Sequence, residues 1–235
     1  MEKIERIYRG VVKRWIFKTS STHTEAFRRW TDWRRSYDGS DAVVGGSDSD
    51  TDIGRVQFEF LQDQGLEPSD KLLDVGCGTL RGGQYFIKYL DAEGYAGMDI
   101  NADLIEDGKE KLSDELINRK RPRLIVNSDL KFNEFESASF DYLIAQSVFT
   151  HLPKHEIEEC FENMSKVMHT NSEFYATIFT SETHDHLKSG LNNHVHSLET
   201  IVDLATEKGF KTRVFFHDDY PHPRRQRMLG FYLSD

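Results

Sequence analysis

The chain has 235 residues, 37% of them hydrophobic, and a formal net charge of −10. That length suffices for one α/β core, no apolar run approaches the ~20 residues that span a bilayer, and no signal-peptide pattern precedes the first predicted helix. The acidic balance argues against general affinity for nucleic acid, and two cysteines, Cys77 and Cys160, make no disulfide framework, which points to a reducing, cytoplasmic setting.

The charge is unevenly spread. Residues 1–35 hold ten Lys and Arg against four Asp and Glu, so this end carries +6 and the remainder −16. Ile4, Ile7, Tyr8, Val11, Val12, Trp15 and Ile16 recur at helical spacing with Lys3, Arg6, Arg9, Lys13 and Arg14 between them, which predicts a basic amphipathic helix over residues 1–18. Such a helix either packs its stripe on the domain as a lid, the reading preferred here, or lies on an anionic membrane. A second basic, aromatic segment runs from Phe27 to Arg35. The Gly/Ser/Asp-rich stretch from Asp38 to Asp52, with Val43-Val44-Gly45-Gly46 inside it, reads as a mobile loop. Residues 1–52 thus form an extension ahead of a unit spanning 53–235.

Beyond a helix opening near Gly54, strands and helices alternate, which predicts a doubly wound parallel sheet. The first strand, Leu72-Leu73-Asp74-Val75, runs into Gly76-Cys77-Gly78-Thr79. Glycines there permit positive φ and close approach of a ligand to the backbone, while Asp74 suits a cationic ammonium or sulfonium and would repel a pyrophosphate. The next strand, Gly94 to Asp99, ends in an acid placed to accept from both hydroxyls of a ribose. A third, Arg123 to Asp129, ends in another that can accept from the exocyclic amine of a purine. Together these read as a seat for S-adenosylmethionine.

On these motifs the chain resembles the class I S-adenosylmethionine-dependent methyltransferases from about Gly54 to Leu233. The resemblance implies a Rossmann-like seven-stranded sheet closed by a reversed C-terminal β-hairpin, here Lys211–Phe216 and Arg227–Leu233. It puts Asp74, Gly76 and Gly78 at the methionine end, Asp99 on the ribose and Asp129 with Leu130 at the adenine, with Cys77, Ile100 and Gln146 as further cofactor-binding positions. Leu80 stands where many members place a third glycine, so the loop beyond Gly78 is expected to differ in shape. Many members also close an N-terminal element over the cofactor, for which Gly54-Arg55 is the expected contact point.

Phe140–Pro153 reads as the fourth strand and the substrate-side loop, followed by a helix over 154–168 whose stripe of Ile157, Phe161, Met164 and Met168 makes Cys160 a core residue. Ser172–Phe179 is the fifth strand, and Ser197 caps a helix ending at Lys208-Gly209. No base is evident beside Cys77, so a nucleophile reading has little support. A hydroxyl acceptor needs a base, for which His151 is the candidate, with His194 and His196 in reserve; that pair lacks a third ligand for a metal. A carboxylate acceptor needs a cation to orient it, for which Arg81, Arg55 and the Arg224-Arg225-Arg227 cluster are the candidates.

The Thr79–Gly83 run, with Val43–Gly46, is most similar to methyltransferases of surface-glycan assembly, in particular haloarchaeal enzymes that methyl-esterify a hexuronic acid of the N-linked glycan. This implies a lipid-linked acceptor met at the inner face of a membrane. Three other readings are an O-methyltransferase of a small metabolite with His151 as base, a nicotinamide-dependent oxidoreductase, and a catalytically silent cofactor-binding scaffold. The oxidoreductase normally lacks Asp74 and the long segment before the glycine loop, and the retained acids and histidine give the silent scaffold no support.

Overall fold

A computed structural model describes residues 2–39, 52–181, 186–188 and 193–234. The predicted loop from Asp38 to Asp52, with Val43-Val44-Gly45-Gly46, lies almost wholly outside them. Five parallel strands form the centre of the sheet in the order β3 (Arg123–Val126), β2 (Tyr95–Asp99), β1 (Leu72–Val75), β4 (Phe140–Ala145) and β5 (Met168–Ser181). The antiparallel hairpin of β8 (Phe210–Val214) and β9 (Arg227–Leu233) closes it, with β9 paired to β5. These are the seven strands expected. Among the described residues the sheet has nine, because β5 runs on past the core and its end, Phe179–Ser181, pairs with β7 (Asn193–Ser197), which in turn pairs with β6 (His186–Lys188).

β1 is buried along its whole length, as a central parallel strand covered on both faces must be. Its alternation splits it between two cores. Leu73 joins Phe149, Phe161, Phe174 and Phe231 under α7 (Lys154–Met164) and α8 (Leu198–Glu207), whereas Leu72 joins Phe60, Phe86, Tyr95 and Tyr175 under α3 (Ile53–Asp63) and α4 (Gly83–Tyr89). α5 (Ala102–Glu110) and α6 (Asp114–Lys120) fill the β2–β3 crossover. Cys160 is fully buried, as expected.

Boundaries around β3 and β5 differ from expectation. The third strand stops at Val126, so Asp129 lies beyond it in a turn where Asn127 Oδ1 accepts from its N–H. The helix after Pro153 ends at Met164, and Met168 opens β5 instead of extending the helical stripe. Pro153 is its N-cap.

The N-terminal segment forms two helices, α1 (Glu2–Thr19) and α2 (His23–Asp38). Thr22 Oγ1 caps α2 by accepting from Glu25 N–H, while the Glu25 carboxylate accepts from Ser21 N–H, a reciprocal capping box. α2 packs on the domain. α1 packs on α2 with Lys13 and Ile16 buried, the Lys13 ammonium lying 5.2 Å over the Trp30 ring. Burial pushes that ammonium down to about 8, with Arg34 adding repulsion. Of the stripe that the pattern would turn inward, Ile16 is buried, but Ile7, Tyr8, Val11 and Trp15 face out, 58%, 51%, 52% and 59% exposed.

Candidate active site

A cavity of about 600 Å³ opens at the carboxyl ends of β1, β2 and β4, where the strand order reverses between β1 and β4. That crevice is where open α/β sheets bind ligands, and the volume lies in the ~300–1,000 Å³ range of cofactor sites. The nine expected cofactor positions, Asp74, Gly76, Cys77, Gly78, Asp99, Ile100, Asp129, Leu130 and Gln146, line it, as do Arg81 and His151.

The floor is the loop from β1 to α4. Gly76 and Gly78 adopt φ of +75° and +51°, and a Cβ on Gly76 would lie 2.5 Å from Val148 Cγ2, so conformation and space both demand glycine there. The N–H groups of Gly76 and Cys77 donate to Met98 C=O at 2.8 and 3.0 Å and tie the loop to β2. Leu80 adopts φ +55°, the left-handed conformation a glycine would take, with its side chain buried in the α3/α4 core. The helices beside the loop approach at glycines. A Cβ on Gly108 would sit 2.8 Å from Leu80 Cγ, and one on Gly54 would overlap Arg81 C=O at 2.1 Å. Gly54 thus packs against the loop itself, whereas Arg55 turns outward to Glu59 at 2.7 Å.

Asp74 is 3% exposed and accepts from Tyr95 Oη at 2.8 Å. Burial pushes its carboxyl up to about 7 against the Tyr95 hydrogen bond, with Asp99 adding repulsion. Asp99 is also pushed up by burial, opposed by backbone N–H donors, among them Asn101 to Oδ1 and Gly78 to Oδ2 at 2.9 Å each. Burial pushes the Cys77 thiol well above its usual range, with Asp74 and Asp99 adding to the effect, so it stays protonated and is no nucleophile.

Past β4, Ser147 takes φ +59° and its N–H donates to Thr177 Oγ1 at 2.7 Å. A polar network holds this turn. Tyr220 Oη donates to Gln146 Oε1 at 2.6 Å, and Ser147 Oγ and Thr177 Oγ1 both donate to Gln226 Oε1, at 3.0 and 2.7 Å. His151 follows, with the Phe27 ring of α2 at 4.7 Å from its own. His194 and His196 sit on β7 behind the cavity wall: His194 N–H donates to Thr150 C=O, and the His196 ring meets Leu152 C=O at 3.1 Å. Burial pushes the His194 imidazole down to about 4, with His196 and His23 adding to the effect. These two brace the turn that carries His151.

Of the five arginines expected to serve as a clamp, Arg81 and Arg224 line the cavity. His222 lies between their fields, its imidazole pushed down to about 4 by burial and then by Arg224 and Arg81. Arg55, Arg225 and Arg227 are not in the lining; Arg227 lies over the Phe216 ring.

Sequence reasoning missed the roof. His23, Thr24, Phe27 and Thr31 of α2 line the cavity, as do Glu156 and Glu159 of α7. α2 is pinned at both ends. His23 Nδ1 lies 3.3 Å from Glu156 Oε2, and the Arg35 guanidinium grips Asp107 with two 2.7 Å bonds. Between them the buried Asn101 caps α5 with its Oδ1 and donates from Nδ2 to Asp32 at 2.7 Å. The capping box Thr22-His23-Thr24-Glu25 was the signal that would have placed this helix.

Residues 73–174 match the Methyltransf_12 family, a methyltransferase domain. Two solved structures share the fold: a S-adenosylmethionine-dependent methyltransferase of Leishmania major (TM-score 0.68, 14% identity, 94% of this chain and 89% of that one) and the magnesium protoporphyrin IX methyltransferase of Synechocystis PCC 6803 with bound S-adenosylmethionine (0.65, 16%, 92% and 99%). Phosphoethanolamine N-methyltransferase 2 of Caenorhabditis elegans is 23% identical over 151 residues, which cover 62% of this chain and 33% of that protein. The chain spans 33% and 43% of the lengths of two curated relatives it matches. The fold is thus that of the class I S-adenosylmethionine-dependent methyltransferases.

Proposed function

We propose that this domain transfers the methyl group of S-adenosylmethionine to a carboxylate oxygen of a sugar acid, a hexuronic acid on a lipid-linked glycan precursor of the N-glycan type. The observation that carries the acceptor class is the cationic wall of Arg81 and Arg224 in the same cavity as Asp74 and Asp99. On this reading residues 53–235 are the catalytic unit, residues 1–52 cover it, and the acceptor is met in the cytoplasm at the inner face of a membrane.

The donor set fits the cofactor. A buried carboxylate at Asp74 suits an ammonium, which would hold it ionised, and the Asp99 carboxylate keeps acceptor capacity for a ribose hydroxyl beyond its backbone donors. Glycines 76 and 78 leave the backbone open where a Cβ would stand. Asp129 and Leu130 would flank the adenine, and Ile100 and Gln146 would be further contacts to the cofactor. When bound, S-adenosylmethionine supplies an electrophilic methyl on a good leaving group, so the chain's task is in-line placement. Arg81, together with Arg224, orients the acceptor carboxylate, which is already ionised and needs no base.

A second reading has one observation in its favour: His151 lines the cavity beneath Phe27, where it can take a proton from a hydroxyl acceptor. Incubation with methyl-labelled S-adenosylmethionine and a uronate-bearing lipid-linked oligosaccharide separates the two. Label released by mild alkali, and lost in Arg81→Gln and Arg224→Gln while S-adenosylhomocysteine binding persists, supports the ester. Alkali-stable label that depends on His151 moves the reading to an ether.

A further inference from the structure

Among the described residues, seven large hydrophobic side chains are exposed, and five of them, Ile7, Tyr8, Val11, Trp15 and Tyr37, lie on the α1–α2 hairpin. Ile7, Val11 and Trp15 are spaced i, i+4, i+8, so they form one stripe along α1. Tyr8 stands beside it with its ring 6.3 Å from that of Tyr37, which joins the two helices in one apolar surface. A helix that only roofs a cavity would turn such a stripe inward and its lysines out. α1 instead turns Ile7, Val11 and Trp15 out and buries one of its lysines, Lys13, under Trp30. A contiguous exposed patch of this kind marks an interaction surface.

The charges around the stripe identify the occupant. Arg14 and Lys18 are exposed beside it, and Arg28 is half exposed on α2. Two copies of the face brought together would set these cations against their own counterparts. An anionic lipid surface would instead neutralise them, while accepting the aliphatic side chains and the amphipathic rings of Trp15 and Tyr8 at headgroup depth. The molecule's polarity points the same way, with +6 on residues 1–35 and −16 on the rest, so an anionic surface attracts this end and repels the bulk.

We propose that the outer face of α1, with Ile7, Val11 and Trp15 at its centre and Arg14 and Lys18 at its edge, docks on the headgroup region of an anionic membrane. The reading above is needed only to give this surface a purpose, delivery of a lipid-linked acceptor. α2 serves both sides, because its inner residues His23 and Phe27 roof the cavity while Trp30 and Trp33 carry α1. Docking therefore seats the cavity two helix layers, α1 and α2, from the lipid surface.

Cosedimentation of the full-length protein with vesicles tests this. The protein is expected to pellet with vesicles of one part phosphatidylserine to two parts phosphatidylcholine, to pellet poorly with phosphatidylcholine alone, and to release as salt rises. Ile7→Glu with Val11→Glu should abolish pelleting, and Arg14→Gln or Lys18→Gln should each weaken it about fivefold. The thermal shift given by S-adenosylhomocysteine should be unchanged in all variants, which certifies their folding. Wild-type protein that stays in the supernatant at low salt, or a double variant that pellets like it, overturns the proposal. So does a dimer in light scattering that the double variant converts to monomer, which would assign the face to a second copy. Vesicle binding without label transfer to a uronate would sink the acceptor and leave the surface standing.

Discussion

Asp74 combines burial with a task that requires charge. With its carboxyl pushed up to about 7, it is mostly protonated at pH 6, and an incoming ammonium must displace that proton. Calorimetric titration with S-adenosylhomocysteine at pH 6, in buffers of different ionisation heat, should therefore show release of nearly one proton. Asp74→Asn should abolish the release and weaken binding; release that persists in the variant would move the titration to another group. Leu80 offers a stability counterpart. Its left-handed backbone costs about 1–2 kcal/mol, which its buried side chain offsets. Leu80→Gly sheds the strain and Leu80→Ala keeps it, so in thermal melts the glycine variant should be the more stable by about 1 kcal/mol, the reverse of the usual order. Asp74 and Asp99 were legible in the sequence because a carboxylate after a buried apolar strand announces itself. The partners of Gln146 were not, since Tyr220 and Gln226 come from about 75 to 80 residues on and meet it only when β9 pairs with β5.

Among the elements, α2 is the most consequential and was the least legible. The basic, aromatic composition of residues 27–35 announced a surface, and only the fold shows Phe27 and Thr31 over a cavity. α1 was recognised as a helix from its period, yet its orientation was inverted, because period cannot show that Trp30 offers a π face able to hold Lys13. β6 and β7 were missed because Asn193-His194-Val195-His196-Ser197 lacks apolar alternation, and β7 pairs with the overhanging end of β5. The grip of Arg35 on Asp107 holds the roof at one end. Arg35→Ala and Asp107→Ala should each weaken S-adenosylhomocysteine binding in calorimetry, with the double variant no weaker than either alone. A partly exposed pair of this kind couples by about 0.2–1 kcal/mol, so full additivity would mean that the pair does not hold the roof.

Across the whole molecule two opposed titrations meet in one pH window. His194 and His222 are held down to about 4, so the unfolded chain binds more protons below its usual imidazole range and stability falls as pH drops from about 6.5 toward 4. Asp74 and Asp99 are raised, so the folded chain holds their protons longer, and stability falls as pH rises from about 4 through the value near 7 of Asp74. The ligand-free melting temperature should vary little between pH 4.5 and 6.5. With S-adenosylhomocysteine in excess, its ammonium holds Asp74 ionised and removes that residue's part of the opposing slope, so the melting temperature should climb with pH up to about 7. A parallel shift at every pH would show that Asp74 does not meet the ammonium.

The crowding of the β1–α4 loop fixes when the binding site is organised. Leu80 is rooted in the core behind the loop, Gly108 lets α5 press on it from one side, and Gly54 lets α3 abut Arg81 C=O from the other. The conformational entropy of ordering the phosphate-free cradle is thus surrendered during folding, not at encounter with the nucleoside. Recognition at the floor should then be quick and rigid, and whatever slow rearrangement accompanies turnover falls to the helical roof.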